Sequence, residues 1–191
     1  MNKNKLLRCI GLILVVISLV VLLAGRLQNR GSRQENQRVA QQIEAILPPR
    51  FPGTQEELTI MDMPVLSLQG QDYIALLEVP ALDVKLPVRS TWSSRGAQRC
   101  PSRFSGTVYD GTLVIGGSSQ PGHLDFIPQL MLGDTITVTA MDGSQFRYRV
   151  TQITRVRSTP ADLLMEEGWD LTLFARDSGT LDYILIRCQQ G

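Results

Sequence analysis

Residues able to do chemistry gather at the ends of two apolar segments. LVIGGSSQPGH, residues 113–123, runs into Ser118, Ser119 and His123, and LTLFARDSG, residues 171–179, runs into Arg176, Asp177 and Ser178. Each has the pattern of a buried strand that delivers polar side chains at its C-terminal end. A nucleophilic site there needs a thiolate or alkoxide, a base within reach and donors for the oxyanion. The residue types present are a poor match. Serines beside glycines are ordinary turn residues, and a guanidinium stays protonated with no lone pair for attack. Arg176 and Asp177 read either as a carboxylate-binding or peptide-binding pair or as two solvated charges at a strand end. His123, with Asp125 two residues on, has the form of a base and its orienter, and equally that of a loop histidine.

The cysteines add little reactivity. Cys9 lies in an apolar N-terminal run, so Cys100 and Cys188 remain, either as a disulfide in an extracellular domain or as two separate buried thiols. Cys188 closes an apolar strand, where burial makes a thiol a poor nucleophile. No zinc-ligand spacing, phosphate loop or calcium loop occurs, so neither a metal nor another cofactor is expected. The 19 basic and 18 acidic residues nearly cancel, which removes the usual electrostatic case for nucleic acid as a partner.

Around these segments the chain must supply a scaffold. Residues 6–25, LLRCIGLILVVISLVVLLAG, carry Arg8 as their only charge. Twenty residues at about 1.5 Å each span a bilayer's hydrocarbon core, so the run reads as a transmembrane anchor. A cleaved signal peptide is the competing reading, against which stand the length of the run and the lack of a small-residue cleavage site after it. Basic residues flank it on both sides, so charge does not choose its orientation. ENQRVAQQIEAIL, residues 35–47, has apolar positions at mostly helical spacing and stops at Pro48 and Pro49, which predicts an amphipathic helix. Residues 48–72 read as a linker. From Tyr73 the pattern turns to strands: YIALLEV, VKLPV, TLVIGG, DTITVTA, SQFRYRVTQITRV, LTLFA and YILIRC, with a short helix in STPADLLMEEG between the fifth and sixth. Arg103 reads as an anchor for a carboxylate and Trp169 as a cover for one end of the core. The tally fits a mostly-β barrel or sandwich.

In this order, LLEVPALDVKLPV, TWSS, RFSG, LVIGG, LGDTITV, WDLTLF and IRC resemble the catalytic domain of a sortase, the membrane-anchored cysteine transpeptidase that joins surface proteins to the bacterial envelope. The resemblance implies an eight-stranded β-barrel with short helices, preceded by a transmembrane helix and an amphipathic helix. The expected organisation is a tail over 1–5, an anchor over 6–25, a juxtamembrane helix and linker over 26–72, and the barrel over 73–191. The chain would pass once through the plasma membrane, with the barrel outside.

The family's chemistry does not follow its fold. The family's histidine position is Ser118, its cysteine position Arg176 and its arginine position Tyr183; His123 matches a second, non-catalytic histidine. The resemblance therefore implies a membrane-anchored but catalytically inactive homologue. Its groove, around Ser118, Ser119, His123, Arg176, Asp177 and Tyr183, would bind a sorting-signal-like peptide or an envelope protein. Two alternatives stand beside it: an active transpeptidase or hydrolase using displaced residues, and a structural remnant with no ligand.

Overall fold

The computed structural model describes residues 3–49, 62–93, 99–159, 161–177, 179–180 and 182–191, with helix side chains described at 12–20 and from residue 33 on. The chain opens with α1 (Lys3–Ile46). Then come β1 (Leu66–Leu68), β2 (Gln71–Val79), β3 (Val84–Arg89), β4 (Ser102–Ser105), β5 (Leu113–Ser118), β6 (Thr135–Ala140), β7 (Gln145–Val156), a one-turn helix α2 (Ala161–Leu164), β8 (Leu171–Arg176) and β9 (Tyr183–Gln190).

The strands run in the order β1-β2-β3-β4-β5-β8-β9-β7-β6, and a further pairing of β2 with β6 closes the last eight into a barrel. Closure removes the open edges that a flat sheet of this size would expose. β1 lies outside the ring as a short hairpin arm on β2. Alternation along the strands builds the interior: Leu171, Leu173 and Ala175 of β8 and Ile184, Ile186 and Cys188 of β9 join the central core. Most strand pairs are antiparallel, but β5 and β8 are parallel, so their C-terminal ends open on the same rim of the barrel.

The N-terminal expectations require correction. Among the described residues, no helix is long and apolar enough to cross a membrane. A separate amphipathic helix over 35–47 is not found either, because those residues belong to one helix running from Lys3 to Ile46. No proline interrupts the sequence before Pro48, so nothing divides that helix in two. With the anchor fall the expectations that rested on it: membrane as a partner, single-pass plasma-membrane placement and an outside position for the barrel.

The strand reading is closer. Its seven strands match β2, β3 and β5 to β9, while β1 and β4 were missed. Of the expected short helix in STPADLLMEEG, α2 is found, and Pro160 before it lies outside the described residues.

Candidate functional site

The site is built where β5, β8 and β9 end side by side. Ser118 is the register partner of Arg176 in the parallel β5–β8 pair, and Arg176 is the partner of Tyr183 in the antiparallel β8–β9 pair. Neighbouring strands lie about 4.8 Å apart and partner residues share a face, so the three form one row across the barrel wall. The inward residues next to them, Ala175 and Ile184, are buried in the core, which turns the row outward. Arg176 is exposed, and Ser118 and Tyr183 are half-buried.

The next outward row is Gly116, Phe174 and Leu185. It is filled by the protein itself. Phe174 is buried together with Val114, Leu164 and Leu185, with Trp92, Phe104 and Tyr183 packed against them. The Trp92 and Phe104 rings lie 5.4 and 5.6 Å from that of Phe174, the latter edge-on. Glycine at 116 is what admits them: a Cβ there would lie 2.3 Å from Phe174 Cζ and 2.5 Å from Trp92 Cζ3. Aromatic side chains thus fill the outer wall beside the row, and the expectation of a sorting-signal peptide or envelope protein as partner is withdrawn, since no feature of the described residues supports it. A cavity of about 700 Å³ under the end of α1 and another of about 550 Å³ beside α2 include none of Ser118, Arg176 and Tyr183.

The remaining candidates are dispersed. Ser118 Oγ accepts from the Gln120 amide at 3.1 Å and so serves the turn that follows. Ser119 is half-buried beside it, and Ser178 lies outside the described residues. Asp177 is committed locally: it accepts from the Gly179 amide at 2.9 Å and from Arg155 Nη1 at 2.7 Å. Those two contacts, the amide first, hold its carboxyl below the usual range. His123 is buried and faces α1, lining a cavity of about 260 Å³ with Arg33, Gln37, Asp83, Lys85 and Asp125.

Cys100 and Cys188 are free thiols. They lie in different clusters, Cys100 under α1 and Cys188 inside the barrel, so the disulfide alternative gives way to two separate buried thiols. Burial raises both pKa values, that of Cys188 to about 12. Neither supplies a thiolate near neutral pH. Among the described residues, no group of three or more His, Cys, Asp and Glu side chains could hold a metal ion.

One organising residue escaped the sequence reading. Arg187, on the same outward face of β9, is buried to 4% exposure. It donates to the Leu163 carbonyl at 2.9 Å, pairs with Glu166 and lies 5.2 Å over the Trp169 ring. It pins the segment between β7 and β8 against the wall, and Trp169 stacks on it instead of capping the core. The alternation of YILIRC, which turns Arg187 outward, was the available signal. Arg103 does anchor a carboxylate, donating from Nη1 to Asp62 at 2.7 Å.

Comparison with known proteins agrees with the barrel. A family model described as the sortase domain matches residues 77–184. Among solved structures, a Clostridium perfringens sortase D5 transpeptidase is 18% identical, covering 82% of this chain and 98% of its own, with a TM-score of 0.58. Sortase A from Corynebacterium diphtheriae is 19% identical over 85% of this chain and 84% of its own, with a TM-score of 0.55. Sortase C1 from Streptococcus suis is 22% identical over 62% and 73%, with a TM-score of 0.52. No curated protein matches the sequence. Identities this low speak for the fold alone, but the family model covers more than half of the chain, and the chain belongs to the sortase family.

Proposed function

We propose that this chain is a non-enzymatic member of the sortase family, a folded barrel that carries out no thiol-dependent acyl transfer. The observation that carries this reading is the row Ser118, Arg176 and Tyr183, in register across three adjacent strands, at the positions where the resemblance implies histidine, cysteine and arginine. A guanidinium has no lone pair for attack on a carbonyl and fills the place of a small thiol. A serine hydroxyl cannot shuttle a proton near neutral pH as an imidazole does. Losing one member of such a unit usually forfeits most of its rate acceleration.

The two barrel thiols supply no substitute, since both are buried with raised pKa values. Ser118 is no better placed, because its hydroxyl serves the turn at Gln120 and no base is bonded to it among the described residues. The test is turnover of a fluorogenic sorting-signal peptide by the purified full chain. The reading expects release no faster than the buffer blank. Release that saturates with peptide and is abolished by a thiol-alkylating reagent would refute it.

A further inference from the structure

The last four turns of α1, from Arg33 on, pack on the barrel wall and on the loop that leaves Ser118. Val39, Ala40 and Ile43 pack with Tyr73, Leu76, Cys100 and Met141. One turn earlier, buried Asn36 donates from Nδ2 to the Gly122 carbonyl at 2.9 Å and the Arg99 carbonyl at 3.1 Å. Arg33 Nη2 reaches Asp125 at 3.1 Å. Gly122 has φ of +85°, and a Cβ there would lie 2.6 Å from Arg33 Cα, so helix and loop meet backbone to backbone.

Against this grip lies His123. It is 1% exposed, and neither ring nitrogen has a hydrogen-bond partner. Burial holds its pKa down, to about 4, while Asp125 pulls more weakly the other way. The charged groups that share its cavity are Arg33 from α1, Asp83 from the turn into β3, Lys85 from β3 and Asp125 from its own loop. Arg33 and Asp125 engage each other, and Lys85 is engaged by Glu44 at 2.6 Å and Glu78 at 3.2 Å. A neutral imidazole is tolerated here, whereas an imidazolium with no acceptor is strongly disfavoured.

We propose that the contact between α1 and residues 119–125 is an acid-released latch with His123 as its trigger. Proton uptake on either ring nitrogen makes the enclosed imidazole a cation that must reach water. His123 leaves with its loop, which withdraws the Gly122 carbonyl from Asn36 and Gly122 from Arg33. The end of α1 then lifts from the barrel and uncovers Cys100. Acidity is thereby coupled to the loop that carries Ser118.

Cys100 reports the opening. In the full chain carrying Cys9→Ser, labelling by 4,4′-dithiodipyridine is followed by peptide mass mapping and normalised to a free thiol at each pH. Moving between an ordinary imidazole pKa and the held value, Cys100 labelling should rise about 20-fold from pH 7 to pH 5, while Cys188 stays protected. His123→Leu should abolish the rise. Asn36→Ala, which keeps the trigger, should raise labelling at pH 7 and retain the pH dependence. A flat wild-type profile, an equal rise in His123→Leu, or an unchanged baseline in Asn36→Ala would overturn the proposal.

Discussion

Ser118 and Arg176 are register partners at the C-terminal ends of two parallel strands, and Arg176 is in turn paired with Tyr183. Positions 58 and 7 residues apart in sequence are therefore set in one row by barrel closure. Nothing in that row is a thiol or an imidazole, and everything predicted below about reactivity descends from it.

Cys100 and Cys188 should be silent and a new thiol loud. Cys100 and Cys188 are 4% and 0% exposed, so in native protein at pH 8 they should resist Ellman's reagent and react only after denaturation. Arg176→Cys places a thiol at an exposed strand end and should add one rapidly reacting group. Ready labelling of Cys188 in the native wild type would contradict the buried placement.

Gly116 and Phe174 should be energetically coupled. Phe174→Ala removes a buried ring and should cost about 3–5 kcal/mol. Gly116→Ala drives a methyl into Phe174 and Trp92 and should cost about 1–3 kcal/mol by overpacking. Because truncating Phe174 vacates that space, the double variant should cost less than the two singles together. Denaturant midpoints of the four proteins close the cycle, and strict additivity would mean the two residues are not in contact.

How much of this was legible beforehand depends on the kind of signal. Period-two alternation in DTITVTA and SQFRYRV located β6 and β7, and continuous apolar runs located β5, β8 and β9, because burial on one or both faces leaves its mark on composition. β4 was missed because SRFS is four residues with a charge at its second position and a bulge after Arg103. β1 was missed because it is three residues within a turn-rich stretch. The Ser118–Arg176–Tyr183 row was reachable only through resemblance, since no local pattern reveals which strands are neighbours. The placement of His123 against α1 was not reachable, because it depends on a helix that begins 120 residues earlier.

Arg187 should matter for the order of the segment it pins. Arg187→Met keeps the stem but removes the bond to the Leu163 carbonyl, the Glu166 pair and the stack on Trp169. A loss of about 2–3 kcal/mol is expected for a buried charged donor of this kind. Limited proteolysis should then cut between β7 and β8 first, and wild-type resistance in the variant would refute the pinning role.

Stability should fall with acid in a defined window. The pKa of His123 is lowered on folding, to about 4, so the unfolded chain binds the proton more tightly. Its contribution is fully present above the unfolded value near 6.5, declines as pH falls from there to about 4, and is level below. Taken over the whole shift, the loss should be about 3 kcal/mol. Urea midpoints against pH should show this slope in the wild type and lose it in His123→Leu. A slope confined to pH below 4 would assign the effect to carboxylates instead.

Intact-mass measurement of the full chain, after incubation with a sorting-signal peptide and rapid acid quench, tests the central claim most directly. A family member that performs acyl transfer must pass through a covalent acyl-enzyme. The account predicts a single unmodified mass at every time point and peptide concentration. A peptide-acyl adduct, mapped to Ser118, Cys100, Cys188 or any other side chain, would contradict it.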